Sequence, residues 1–339
     1  MVKTDKAQHD DIKDELFQPA YGLRCRHIQT IIPALRKSPR PKIEIEQFEL
    51  HDSDFVECYW HPPSSKPLNE TQRPIVVLFH GLEGSFDSAY IKGIMNALNK
   101  HGFSSVLMHF RGCSGKLNRL PRSYHSGDTA DARSFIESVN QRYPDNKLFS
   151  IGFSLGGNML LKLLGEWGKS SPICAAVSVS APLQLELCAN QMNQGFSRVY
   201  QYALLKTLKA KLIKKYKHFD MSALIGIDEK QVNQLNSFWE FDNVYTGPIH
   251  GFNSASDYYQ QSSSKQYLKQ IETETLIIHA LDDPFMPPDI LSDIDTLPAN
   301  VKIEAHAYGG HLGFISGSLL KPQYWLENHI VQYFKTFSS

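Results

Sequence analysis

The stretch Lys147–Gly165, KLFSIGFSLGGNMLLKLLG, passes from a short apolar segment (Leu148, Phe149, Ile151) through Gly152-Phe153-Ser154-Leu155-Gly156-Gly157 into a segment rich in Leu, Met and Lys. Its order is strand, sharp turn, helix. The turn has the form G-x-S-x-G, whose central residue takes a strained backbone conformation, so the positions two residues either side must be small. Gly152 and Gly156 meet that demand. A serine held this way presents its hydroxyl at the top of a sheet, beside a helix N-terminus whose free N–H groups favour an oxyanion. The same pattern also suits a strand-to-helix turn that only packs, or a phosphate loop. Residues further along the chain therefore decide between the readings.

On the N-terminal side of this turn, residues 1–20 are polar and read as a mobile arm, followed by the apolar and basic segment YGLRCRHIQTIIPALRK, expected to pack across the main domain. Ile43–Leu50 and Phe55–Trp60 alternate at period two around His51-Asp52-Ser53-Asp54, the pattern of a β-hairpin. Pro62 to Pro74 reads as a polar loop. Ile75–Phe79 is a continuous apolar run, as a parallel strand covered on both faces requires. It ends in His80-Gly81-Leu82-Glu83-Gly84. A helix is predicted over Tyr90–His101, a buried strand over Ser105–Phe110 and a helix over Asp128–Tyr143.

Beyond the turn, Ile173–Val179 is another buried strand, and the alternation of strand and helix specifies a mainly parallel sheet with helices on both faces. Ligands of such sheets bind beyond the carboxyl ends of the strands. The strand pattern stops from Leu183 to about Ser264, which reads as an inserted helical cap, and resumes with Thr275–Leu281 and Val301–Ala307. Gln323–Phe337 is predicted to close the chain as an amphipathic helix. The expected division is a core of residues 1–182 and 265–339 with a cap of residues 183–264. RVYQYALLKTLKAKLIKKYKHF in the cap carries Lys206, Lys209, Lys211, Lys214, Lys215 and Lys217. It reads as a solvated face in preference to a membrane-surface contact.

A hydroxyl is a poor nucleophile until a base removes its proton, and the base needs an acid to hold its tautomer. Asp282-Asp283-Pro284 follows one late strand and Gly309-Gly310-His311-Leu312-Gly313 follows the next, so acid and base come in a workable order after Ser154. His311 is favoured over His279, His101, His218 and His250 because the glycines around it let its ring approach another backbone. Of the two aspartates only one can face the histidine, and Pro284 biases Asp283 towards an extended turn conformation. Asp283 is thus the expected acid and Asp282 a turn or capping residue. The oxyanion hole is expected to combine the backbone N–H groups of Leu155 and Leu82.

The turn Arg111-Gly112-Cys113-Ser114-Gly115 is read as structural or as pocket wall, with no base near Cys113. His125, Asp128 and Asp131 match no established metal spacing, and no metal is expected. Neither G-x-G-x-x-G after the first buried strand nor a Walker loop occurs, so no cofactor is expected. Across 339 residues, 35 basic side chains balance 35 acidic ones, which argues against a nucleic-acid partner. Five cysteines without C-x-x-C spacing, an N-terminus without an apolar core and the lack of an 18-residue apolar run predict a soluble, cytoplasmic protein.

These motifs resemble the α/β-hydrolase superfamily, and within it the YheT-like hydrolases, bacterial relatives of eukaryotic hydrolases of the same fold. The resemblance spans nearly the whole chain through HIQTIIPAL, FHGLEGS, MHFRGCSG, YHSGDTAD, GFSLGGNML, GFSRVYQ, HALDDPFMP and GGHLGF. It implies an α/β-hydrolase fold with an eight-stranded-type sheet, and a charge-relay triad at Ser154, Asp283 and His311. It also implies activity on carboxylic esters, in relatives on medium-chain acyl esters or phospholipids, or acyl transfer to alcohols. The expected function is a serine esterase for short- to medium-chain esters. An acyltransferase and a hydrolase fold kept only for binding are the alternatives.

Overall fold

The computed structural model describes residues 17–61, 72–292, 294, 296–318 and 320–338. The expected arm up to residue 16 and most of the Pro62 to Pro74 loop lie outside the described residues. Residues 17–20 correct the arm expectation. Phe17 and Ala20 are buried, and the Phe17 ring meets Phe314 and Trp325 edge-on.

Eight strands form one sheet in the order β1-β2-β4-β3-β5-β6-β7-β8. They are β1 (Glu44–Glu49), β2 (Phe55–His61), β3 (Ile75–Phe79), β4 (Ser104–Met108), β5 (Leu148–Phe153), β6 (Ile173–Val179), β7 (Glu274–Ala280) and β8 (Val301–His306). The β1–β2 hairpin and the β2–β4 pair are antiparallel, and every other pair is parallel. Side chains of β3 explain its unbroken apolar sequence. Ile75, Val77 and Phe79 enter one core with α3 (Thr129–Arg142) and α4 (Leu155–Trp167). Val76 and Leu78 enter the opposite core with α2 (Ala89–Lys100) and the C-terminal helix Trp325–Lys335.

Helix α1 (Arg26–Ala34) precedes the sheet. Between β6 and β7 the chain is helical, as α5 (Leu185–Met192), α6 (Ser197–Tyr216), the short α7 (Met221–Ile225), α8 (Glu229–Val232), α9 (Phe238–Phe241) and α10 (Gly247–Ile249), and α11 (Ala255–Ser262). This segment has a small core of its own around Leu205, Leu212, Met221, Val232 and Phe241. Near the C-terminus, β9 (Ile315–Gly317) pairs antiparallel with β10 (Pro322–Tyr324), so Gln323 and Tyr324 belong to a strand instead of the predicted closing helix.

The lysine-rich helix α6 is only partly solvated. Lys215 is buried, and its Nζ donates to Asn118 Oδ1 and to the carbonyls of Leu120 and Arg122. Burial lowers its pKa to about 8. Lys211 pairs with Glu83 at 2.9 Å, while Lys206, Lys214 and Lys217 face solvent. Charges on α6 therefore dock it onto the sheet end as well as solvating it.

Candidate active site

Strand β5 ends at Phe153, and Ser154 comes next with φ 51° and ψ −119°, a conformation that side chains disfavour and surrounding structure must impose. Its N–H donates to the Val179 carbonyl at 2.8 Å, and its carbonyl accepts from the N–H groups of Gly157 and Asn158. A Cβ on residue 156 would lie 2.6 Å from the carbonyl oxygens of Phe79 and His80, and one on residue 152 would overlap the backbone of Gly156 and Gly157. The small residues demanded by the motif are thus demanded by contacts with β3 and α4. Asn158, one turn into α4, is buried and donates to the carbonyls of Ser126 and Ser262 while accepting from Ser264 N–H. It ties the helix behind the serine to the helical segment.

At the end of β7 the two aspartates diverge. Asp283 Oδ2 accepts from His311 Nδ1–H at 2.8 Å, and its Oδ1 accepts from Phe285 N–H at 2.8 Å. Asp282 Oδ1 accepts from Gly310 N–H at 2.9 Å, so the second carboxylate holds the turn that carries the histidine. With Nδ1 donating to Asp283, Nε2 of His311 is left as the acceptor for Ser154 Oγ–H, at 3.0 Å. The Phe285 ring lies flat against the imidazole, 3.9 Å between centroids and 11° between planes. Ser154, His311 and Asp283 are therefore brought together from three strand ends in one hydrogen-bonded line.

The turn bearing His311 has positive φ at Gly309, Gly310, Leu312 and Phe314. Helix α1 presses against it. Thr30 Oγ1 accepts from His311 N–H at 2.9 Å. The buried Gln29 side chain donates to the carbonyls of Leu23 and Ile315 and accepts from Ile315 N–H. A Cβ on residue 310 would lie 2.6 Å from the Arg26 carbonyl oxygen. Sequence reasoning expects α1 to pack on the main domain but not to hold the turn that carries His311. No local signal links Thr30 to a residue 281 positions away.

The His80-Gly81 turn is pinned by hydroxyls. Gly81 N–H donates to Tyr90 Oη and Glu83 N–H to Tyr124 Oη, both at 2.9 Å. Leu82 N–H, between them, and Leu155 N–H at the start of α4 have no hydrogen-bond partner among the described residues. His80 is structural. Its Nδ1–H donates to the Gly81 carbonyl, Nε2 accepts from Phe110 N–H, and burial lowers its pKa to about 3.

Other candidates take structural places. Arg111 is buried and forms a bidentate pair with Asp131 while its other nitrogen reaches Asp52 and Asp54, which anchors the β1–β2 turn to the sheet end. The Cys113 thiol, 3.1 Å from Lys211 Nζ, is pushed up to about 11 by burial. Asp128 pairs with Arg122, and burial pushes His125 down to about 3. The carboxylates of Asp128 and Asp131 are thus both engaged by arginines.

A cavity of about 580 Å³ opens above Ser154 and His311, within the usual range for small-molecule sites. Leu82, Leu155, Leu185, Met192, Leu208 and Phe241 supply apolar wall. Asp242, Tyr245, Thr246 and Tyr259 supply a polar section, where burial pushes the Asp242 carboxyl up to about 6 as it accepts from Tyr259 Oη. Nearly half of the lining comes from the segment between β6 and β7, and the rest from α1 and the turns at the strand ends.

A serine hydroxyl aligned with an imidazole and a carboxylate, at the carboxyl edge of a largely parallel sheet, is the arrangement of a class of hydrolytic enzymes. The chain belongs to the α/β-hydrolase fold family, whose model matches residues 74–318, and as a member it is classed among the hydrolases. It is similar to YheT of Escherichia coli, 42% identical over 95% of this chain and 93% of YheT, in agreement with the motif resemblance. It is also similar to the medium-chain fatty acid ethyl ester synthase/esterase 2 of Saccharomyces cerevisiae, 30% identical over 80% of this chain and 64% of that one. The solved esterase PF2001 of Pyrococcus furiosus shares the fold, with a TM-score of 0.58 at 15% identity over 88% of this chain and 91% of that one.

Proposed function

We propose that the chain is a serine esterase acting on short- to medium-chain acyl esters. Ser154 Oγ attacks the ester carbonyl as His311 Nε2 takes its proton, and Asp283 holds the tautomer and steadies the imidazolium. The N–H groups of Leu155 and Leu82 receive the oxyanion. His311 returns the proton to the leaving alcohol, and water then releases the acyl group from Ser154 by the same steps in reverse. Residues 183–264 serve as the cap that closes the acyl site. The observation that carries this reading is the 3.0 Å and 2.8 Å pair of hydrogen bonds joining Ser154, His311 and Asp283. A cytoplasmic setting goes with it, since Cys58, Cys113 and Cys188 are buried as free thiols.

The test is hydrolysis of p-nitrophenyl esters from acetate to octanoate by wild type and Ser154→Ala. Wild type is expected to turn over and the variant to lose at least about 10³-fold in kcat. Equal rates would refute the assignment. Acyl transfer to an alcohol is the second reading, supported by the synthase named in the yeast relative. Product analysis with ethanol present separates the two, because free acid alone removes the transferase. A binding module without chemistry predicts no labelling of Ser154 by a fluorophosphonate.

A further inference from the structure

Helix α1 is amphipathic in the wrong direction for a helix that only packs. Ile28, Ile31, Ile32 and Leu35 fall at i, i+3, i+4 and i+7 and so share one face. That face is outside, with Ile31 at 41% and Leu35 at 75% exposure, while the polar Gln29 points into the protein. Beside it, α6 begins with a second exposed apolar group. Phe196, Val199 and Tyr202 are 50%, 54% and 69% exposed. The two helices meet, since His27 lies 4.5 Å from Phe196 between ring centroids and shares a hydrogen bond with Tyr200 Oη.

The gap between them is the way into the cavity. Ile31 of α1, Leu35 at its C-terminal cap and Ala203 of α6 line the cavity and are also exposed, which places them at its rim. The charge around this rim is one-sided. Residues 17–43 contain six Arg or Lys and no Asp or Glu, and residues 187–219 contain seven and none; of these, Arg36, Arg40 and Lys211 are paired with carboxylates from elsewhere and Lys215 is buried. Arg24, Lys37, Arg198 and Lys206 are exposed and form no ion pair among the described residues, while Arg26 is exposed near the Asp282 carboxylate. Exposed apolar side chains would be misplaced against a nucleic-acid backbone. An apolar stripe bordered by basic side chains matches the headgroup region of an anionic bilayer.

We propose that α1 and the first half of α6 form a docking face for an anionic lipid surface, with the cavity mouth between them turned towards the membrane. Apolar side chains enter the boundary of headgroup and acyl chain, and the arginines and lysines meet lipid phosphates. The lysine-rich helix alone does not make this face. It is the contact with α1 that gathers the apolar side chains, the charges and the opening on one side.

The test is cosedimentation of the full chain with vesicles of phosphatidylcholine alone and of phosphatidylcholine with an equal part of phosphatidylglycerol. Binding is expected to the anionic vesicles only, weakening as salt rises. Arg198→Glu with Lys206→Glu is expected to reduce it by at least about fivefold per site. Ile28→Ser with Val199→Ser, neither of which lines the cavity, is expected to reduce it by about tenfold while hydrolysis of a water-soluble ester is unchanged. Wild type that ignores both vesicle types, or binds them equally, overturns the proposal. So does a wild-type dimer that the Ile28→Ser, Val199→Ser pair turns into monomer without any vesicle binding, since the face then joins two copies of the chain. Vesicle binding is read without turnover, so its failure is separate from failure of the esterase reading.

Discussion

Asp282 and Asp283 show how finely the site is divided between neighbours. Alternation at the end of β7 sends one carboxylate to the imidazole of His311 and the other to the N–H of Gly310, the residue before it. Both act on His311, one electrostatically and one by fixing its turn. Asp283→Asn is expected to lower kcat by about 10⁴-fold with little change in stability, because an amide favours the wrong imidazole tautomer. Asp282→Asn keeps an acceptor for Gly310 N–H and is expected to cost less than about tenfold in kcat. Kinetics of the two variants on one p-nitrophenyl ester check the pair, and equal losses would mean that their roles are not divided in this way.

At the scale of elements, helix α6 and the turn after β3 are physically joined. Glu83, at φ 56°, comes directly after Leu82 and accepts from Tyr124 Oη at 2.8 Å and from Lys211 Nζ of α6 at 2.9 Å. The Glu83 side chain is 5% exposed, so the lysine cannot easily be replaced by water. Removing one partner of a buried pair leaves an uncompensated charge and lets the turn relax. Lys211→Met is expected to lower kcat/KM by about tenfold, and Lys211→Arg to restore most of it. A methionine variant as active as wild type would show that Leu82 N–H is positioned without α6. The helix α1 supports the other end of the site through Thr30 and Gln29. The motif HIQT carries this duty without a local sign of it, because its partners are defined by folding and not by spacing.

The whole molecule stores several neutral imidazoles. Burial lowers His80 to about 3, His109 to about 4 and His125 to about 3. In the unfolded chain each binds a proton below about pH 6.5, while in the fold each stays neutral until far lower pH. The unfolded state therefore gains protons first. The stability these groups confer is complete above about pH 6.5 and is lost as pH falls towards 4, by about 2 kcal/mol for each between pH 7 and 5. Asp242, pushed up to about 6 by burial, works against this, as do Asp282 and Glu327, which burial also raises, while the buried His250 and His279, both lowered, add to it. Urea unfolding at pH 7, 6 and 5 is expected to show a steep fall, and a constant midpoint would contradict it.

What the sequence determined by itself was whatever depends on neighbours a few positions apart. The alternation of hydrophobic runs with helical stretches, the glycines around Ser154 and the placement of Asp283 and His311 just past late strands are local requirements, readable because strands, helices and a strained turn each admit few residue patterns. Tertiary structure alone decided the rest. It set Thr30 and Gln29 against the turn of His311, buried Lys215 in a helix that reads as solvated, turned the apolar stripe of α1 outward and placed Phe17 in the core. Each of these is a contact between segments far apart in the chain, and periodicity shows that a residue has a partner face without showing which face it meets.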